Sequence, residues 1–182
     1  MRVFIAIELP EDIRKKLGDL QRELRTSTTS ARWVPPESIH LTLKFLGVVA
    51  DSRIQDIDRA FQGLTWKHFQ VAVHGVGFFP GKPSPRILWA GLTASSLEDL
   101  AGEIDVRMAP LGFESERRAF RPHLTLARAK DKRLDAALVQ DARRFEDVDC
   151  GAFGVDRCFL FQSTLKPSGA VYCKLREYIL NK

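Results

Sequence analysis

Apolar residues run almost without interruption through positions 3–9, which predicts a buried first strand. Pro10 then opens a helix, where its missing N–H removes no intrahelical bond, and Glu11 and Asp12 suit the positive end of the helix dipole. Ile13, Leu17, Leu20 and Leu24 recur at helical spacing, so residues 11–25 are predicted as an amphipathic helix. A polar stretch over 26–32 reads as a loop leading to Trp33-Val34-Pro35-Pro36. His40-Leu41-Thr42-Leu43 then alternates as a half-buried strand does, and Gly47 to Ala50 ends it. A second helix, capped by Asp51 or Ser52, turns Ile54, Ile57, Phe61 and Leu64 inward. Strands at 69–73 and 86–91 flank the turn-rich run from Pro80 to Pro85.

Ser95 and Glu98 have capping-box spacing and start a third helix, with Leu97, Leu100, Ile104 and Met108 on one face and Pro110 and Gly112 as its stop. A second alternating segment follows, His123-Leu124-Thr125-Leu126. A fourth helix is expected from about Asp131, carrying Leu134, Leu138 and Phe145. Strands at 147–156, 158–165 and 171–178 close the chain, the last two joined by Lys166-Pro167-Ser168-Gly169.

The tetrapeptide His-Leu-Thr-Leu thus occurs twice, 83 residues apart. Its surroundings repeat as well. From Arg25, at the end of the first helix, to His40 is 15 residues; from Ala109, at the end of the third, to His123 is 14. A duplicated α+β unit predicts two lobes related by a pseudo-twofold axis, with equivalent residues facing each other across a central cleft. No linker composition interrupts the chain, so residues 1–182 are expected to form one bilobal domain.

In each motif residues i and i+2 share a face, so His and Thr look out together while the leucines look into the core. Histidine titrates near neutrality, and two of them in one cleft are suited to general acid and general base work. Thr42 and Thr125 sit one pleat from His40 and His123, positioned to donate to an anionic oxygen, although threonine is also an ordinary strand residue. A metal site needs three or four ligands, and the motif neighbourhood offers threonine where further histidines or carboxylates would stand; no metal or cofactor is expected.

Arg117, Arg118, Arg121 and Arg128 bracket the second motif, and Lys44 follows the first. One or two of them suit phosphate recognition. Lys44 has the parity of His40, whereas Arg128 has the parity opposite to His123 and reaches the groove only past a bulge or beyond the strand's end. Phe45 shares the parity of Leu41 and Leu43 and should be buried unless the strand ends first; exposed, it would stack a base, as would any of Phe4, Trp33, Phe78, Phe79, Trp89 and Phe120 outside the core. The run from Gly77 to Pro83 lacks the spacing of a phosphate loop and is set aside, as are the isolated His68 and His74.

Composition adds limits rather than direction. At 182 residues and 45% hydrophobic the chain can bury a full core, and its net charge of +5 leans towards a polyanionic partner. Three cysteines without C-x-x-C spacing fit a reducing cytoplasm and argue against a disulfide framework. The first residues are too short and too soon acidic for a signal peptide, and no apolar run reaches the roughly 20 residues that span a bilayer. No heptad pattern is present, so a monomer is expected.

Two H-x-T-x motifs at this spacing resemble the 2H phosphoesterase superfamily. Arg32-Trp33-Val34-Pro35-Pro36 before HLTLKFLG, Phe78-Phe79-Pro80 leading to Arg86-Ile87-Leu88-Trp89, and Phe120-Arg121-Pro122 before HLTLAR together resemble its bacterial and archaeal RNA 2′,3′-cyclic phosphodiesterases, historically called 2′-5′ RNA ligases. The resemblance covers nearly the whole chain. It implies two antiparallel sheets with helices on their outer faces around the cleft, and metal-free opening of an RNA 2′,3′-cyclic phosphate to a 2′-phosphomonoester. It further implies His40 as proton donor and His123 as proton acceptor, a direction that two near-identical motifs leave open on their own. Reverse ligation to a 5′-hydroxyl uses the same groups. A non-catalytic nucleotide- or RNA-binding module, and a hydrolase of another cyclic phosphate, are the competing expectations.

Overall fold

The computed structural model describes residues 1–25, 30–81, 83–166 and 169–180. The loop expected over 26–29, Lys82 of the proline-rich turn and Pro167-Ser168 of the last turn lie outside these residues.

The chain runs β1 (Arg2–Glu8), α1 (Glu11–Arg25), β2 (Ala31–Trp33), β3 (His40–Val48), α2 (Ile54–Phe61), β4 (Phe69–Phe79), β5 (Ile87–Thr93), α3 (Ser95–Met108), β6 (His123–Ala129), α4 (Ala136–Ala142), β7 (Asp149–Val155), β8 (Arg157–Lys166) and β9 (Gly169–Ile179), with short 3₁₀ turns between. The strands form two antiparallel sheets, ordered β3-β1-β8-β9 and β2-β6-β5-β4-β7. The expected α+β class with two antiparallel sheets therefore holds.

The repeat is legible in the topology. Each HLTL strand is antiparallel to the strand that precedes its helix, β3 to β1 and β6 to β5. Contiguous halves do not make the lobes, however. The first sheet is completed by the C-terminal hairpin β8–β9, while β4 leaves the first half to pair with β5 and β7 in the second sheet. The fully paired β1 sits between β3 and β8, which explains its unbroken apolar run: Val3, Ile5 and Ile7 enter the main core, and Phe4 and Ala6 enter a second cluster with Phe159 and Phe161.

Helix α1 buries Ile13, Leu17, Leu20 and Leu24 as expected and packs on β7 and α4, while α3 packs on β3 and α2. Two expected helix starts shift, and the third helix keeps its expected start at Ser95 but not its expected cap. Ser95 is the first helical residue and the cap position belongs to Ala94, without a side-chain bond. Residues Asp51–Arg53 form a 3₁₀ turn, so neither Asp51 nor Ser52 caps α2. The fourth helix begins five residues later than Asp131, because the Asp135 carboxylate accepts the Leu138 N–H and sets the cap there. The expected loop before Trp33 contains the short edge strand β2, and β4 extends through Phe79, beyond the expected 69–73. Among the described residues no helix is long and apolar enough to cross a membrane.

Candidate functional site

The two motif strands bend in the same way. In β3 the pairing with β1 skips one residue between Thr42 and Lys44, and in β6 the pairing with β5 skips one between Thr125 and Ala127. Each bulge reverses the alternation that follows it. Leu41, Leu43 and Lys44 are buried and Phe45 is 65% exposed; Leu124, Leu126 and Ala127 are buried and Arg128 is exposed. His40 and Thr42 share the outer face of β3 with Phe45, and His123 and Thr125 share the outer face of β6 with Arg128.

Lys44 is consequently removed from the groove. Counted by strict alternation it belongs beside His40, but the bulge turns it into the core, where its side chain is 1% exposed and its ammonium donates to the Asp105 carboxylate of α3 and to the Glu114 carbonyl. The expectation that Lys44 faces the groove is corrected: its side chain is buried and its charge is paired with Asp105. Phe45 changes in the opposite sense, from the core face to the outer one, beside Phe4 at 5.9 Å between ring centroids. Arg128 does reach the outer face, through the bulge its parity demanded.

Both imidazoles are held identically. His40 Nδ1 lies 2.8 Å from the Ser38 carbonyl oxygen and His123 Nδ1 lies 2.8 Å from the Arg121 carbonyl oxygen, in each case two residues upstream. A carbonyl only accepts, so each Nδ1 carries a proton and donates it. Each Nε2 is then a lone pair in the neutral ring and an N–H donor in the imidazolium. The Arg121 residue is exposed, and it is its carbonyl that touches His123.

The surroundings of the two rings differ. His40 packs against Phe4 at 4.7 Å and takes the edge of Tyr172 at 4.8 Å. His123 meets the edge of Phe79 at 5.0 Å. Burial pushes the His40 imidazole below the usual histidine range; the Ser38 carbonyl opposes this, and the positive charge of Arg128 adds to it. That influence, with the packing of β3 against β6, brings Arg128 of one motif within electrostatic reach of the histidine of the other. Arg128 also acts on the Tyr172 hydroxyl, whose titration burial raises. A pocket of about 490 Å³ opens beside His40, lined in part by Glu8, Arg14, Phe161, Tyr172 and Lys174. The Glu8 carboxylate there pairs with Arg14 at 2.7 Å and Lys174 at 2.5 Å, which holds it below the usual carboxylate range although burial alone would raise it.

Three contributors escape a reading of the sequence. Phe161 and Tyr172 come from the C-terminal hairpin, and no local pattern announces that this hairpin will pair with β1. Gln21 had a signal: it is a polar residue on the apolar face of α1. It is 1% exposed, and its Nε2 donates to the carbonyls of Val34 at 2.7 Å and of Leu126 at 2.9 Å, the bulged residue of β6. Among the described residues no group of three or more His, Cys, Asp or Glu side chains converges.

A family model described as LigT like Phosphoesterase matches twice in succession, over residues 7–89 and 92–172, each match containing one HLTL motif. The RNA 2′,3′-cyclic phosphodiesterase of Archaeoglobus fulgidus is 32% identical over 179 residues, covering 98% of this chain and 99% of that one. The protein of the same name from Thermotoga maritima is 34% identical over 187 residues, covering 97% and 94%. The crystal structure of TT0787 of Thermus thermophilus superposes with a TM-score of 0.83 at 29% identity, covering 99% of this chain and 98% of that one. With matched architecture, a twice-matched family model and relatives alike over nearly their whole length, the chain belongs to the LigT-like phosphoesterase family.

Proposed function

We propose that this protein hydrolyses the 2′,3′-cyclic phosphate at an RNA end to a 2′-phosphomonoester, with residues 1–182 working as one domain. The activity named for the relatives supports the substrate class. The observation that carries the mechanism is the identical anchoring of both imidazoles through Nδ1, which leaves two Nε2 atoms as the proton-transferring positions.

His123 Nε2, neutral, takes a proton from water as its oxygen attacks phosphorus. The bond from phosphorus to O3′ breaks, and His40 Nε2–H protonates the departing O3′. One P–O bond forms, one breaks, and the product carries a 2′-phosphate and a 3′-hydroxyl. Thr42 and Thr125 donate to the non-bridging oxygens, where negative charge builds in the transition state. Arg128 adds positive potential, and Phe45 stacks the terminal base. The donor role of His40 follows the family pattern; its depressed titration means that the negative charge of bound substrate must help to protonate it.

The test is product analysis on a short RNA ending in a 2′,3′-cyclic phosphate, followed by phosphorus NMR. The expected product is the 2′-phosphomonoester, and His40→Ala or His123→Ala should lower kcat by at least about 10²-fold. A 3′-phosphate product, or a signal that shifts on binding without being consumed, would overturn the proposal.

A further inference from the structure

Arg32 has no place in the scheme above, and its position is unusual. On β2 it stands directly opposite Arg128 of β6, in register across the antiparallel pair. Residues opposite one another project from the same face, and like charges so placed destabilise the pairing. Both guanidinium groups are exposed, and among the described residues neither forms an ion pair. Among the described residues, the fold therefore sets two exposed arginines opposite one another on the outer face of the sheet, with no ion pair to either. An anion between them relieves the repulsion and receives planar, multidentate donors.

The position also indicates which anion. Arg128 is the member nearer the histidines, since it shares β6 with His123 and that strand packs on β3, which carries His40. Arg32 lies one strand further out, about 4.8 Å away along the sheet. The positive surface then continues. The Ala129 N–H donates to the Arg86 carbonyl at 2.7 Å, and just beyond it Arg86, Lys130, Lys132 and Arg133, with Asp131 among them, line an open depression of about 650 Å³. A single phosphate at the histidines has no use for positive charge running outward from it. A nucleic acid chain has.

We propose that Arg32, paired with Arg128, grips the phosphodiester that precedes the terminal nucleotide, and so selects RNA chains over mononucleotides. This rests on the cyclic-phosphate reading of the cleft, and it makes Arg32 a specificity residue for that substrate. The experiment compares a 2′,3′-cyclic mononucleotide with a dinucleotide bearing the same cyclic end, in the parent and in Arg32→Ala. The ratio of kcat/KM for dinucleotide over mononucleotide should fall roughly tenfold, and the salt slope for dinucleotide binding should weaken by about 0.7. Arg32→Lys should recover part of the ratio, because it restores the charge without the fork. An equal fall on both substrates would give Arg32 to the reacting phosphate or to the fold, and an unchanged ratio would make it idle; either overturns the inference.

Equilibrium binding of a dinucleotide ending in a 2′-phosphate, against the nucleoside 2′-phosphate alone, reads the same subsite without turnover. A parent protein that consumes neither cyclic substrate defeats the hydrolytic reading, and the binding ratio then decides Arg32 on its own: a loss of dinucleotide preference in Arg32→Ala supports the subsite, and its retention overturns it.

Discussion

A histidine that serves as proton donor must hold a proton, and the surroundings of His40 work against that. Packed against Phe4 and Tyr172, it titrates below 6.5 in the free protein, chiefly because burial disfavours the imidazolium. In the proposed mechanism the substrate phosphate reverses the balance, since an adjacent negative charge favours the charged ring. The free protein governs kcat/KM and the complex governs kcat. The limb that reports His40 should therefore lie at lower pH in the kcat/KM profile than in the kcat profile. Profiles measured on a cyclic dinucleotide give both limbs. Coincident limbs, or the reverse order, would remove His40 from the donor role. The residue scale also shows where counting along a strand stops being reliable. His40, Thr42, His123 and Thr125 precede the bulges and stand where simple alternation puts them; Lys44, Phe45 and Arg128 follow them and are inverted.

Each bulge has a support from another element. In β3 the inverted Lys44 is received by Asp105 of α3; in β6 the bulged Leu126 offers its carbonyl to Gln21 of α1. The two repeats thus share a backbone device but secure it with different chemistry. Gln21→Leu keeps the size of the side chain and removes a donor to two carbonyls. It should destabilise the protein by about 1–3 kcal/mol. At roughly 2–4 °C per kcal/mol for a chain of this size, circular dichroism melting resolves it. An unchanged melting temperature would mean that Val34 and Leu126 do not depend on the glutamine. The apolar stripe of α1 is plain from its spacing, but which backbone a polar interruption serves depends on a partner 105 residues away.

Across the whole molecule, the Lys44–Asp105 pair ties the first motif strand to the helix of the second repeat. Burial would raise the Asp105 titration, but the Lys44 bond and charge and the Glu116 N–H hold it below its ordinary 3.8. A carboxylate depressed in the folded state stabilises that state above the unfolded value and loses its contribution as pH falls through the folded one. Acidification below about pH 4 should therefore weaken the parent, and urea midpoints measured from pH 7 to pH 3 should decline less in Asp105→Asn. At pH 7 that variant leaves Lys44 buried without its counter-charge and should cost about 3 kcal/mol, more than Lys44→Met, which removes the buried charge altogether. Equal losses for the two variants would contradict this account.

Local patterning by itself determined the helical stripes, the α+β class, the duplication and the four motif residues, because periodicity and tetrapeptide identity are properties of neighbours in the chain. It left undecided how the sheets are assembled, since a strand's partner is chosen by burial of faces that are distant in sequence. The C-terminal hairpin joins β1, β4 crosses into the second sheet, and one extra residue in each motif strand turns Arg128 and Phe45 outward and Lys44 inward. Only the tertiary structure decided these, for a bulge is a mismatch between two strands and neither strand contains it alone.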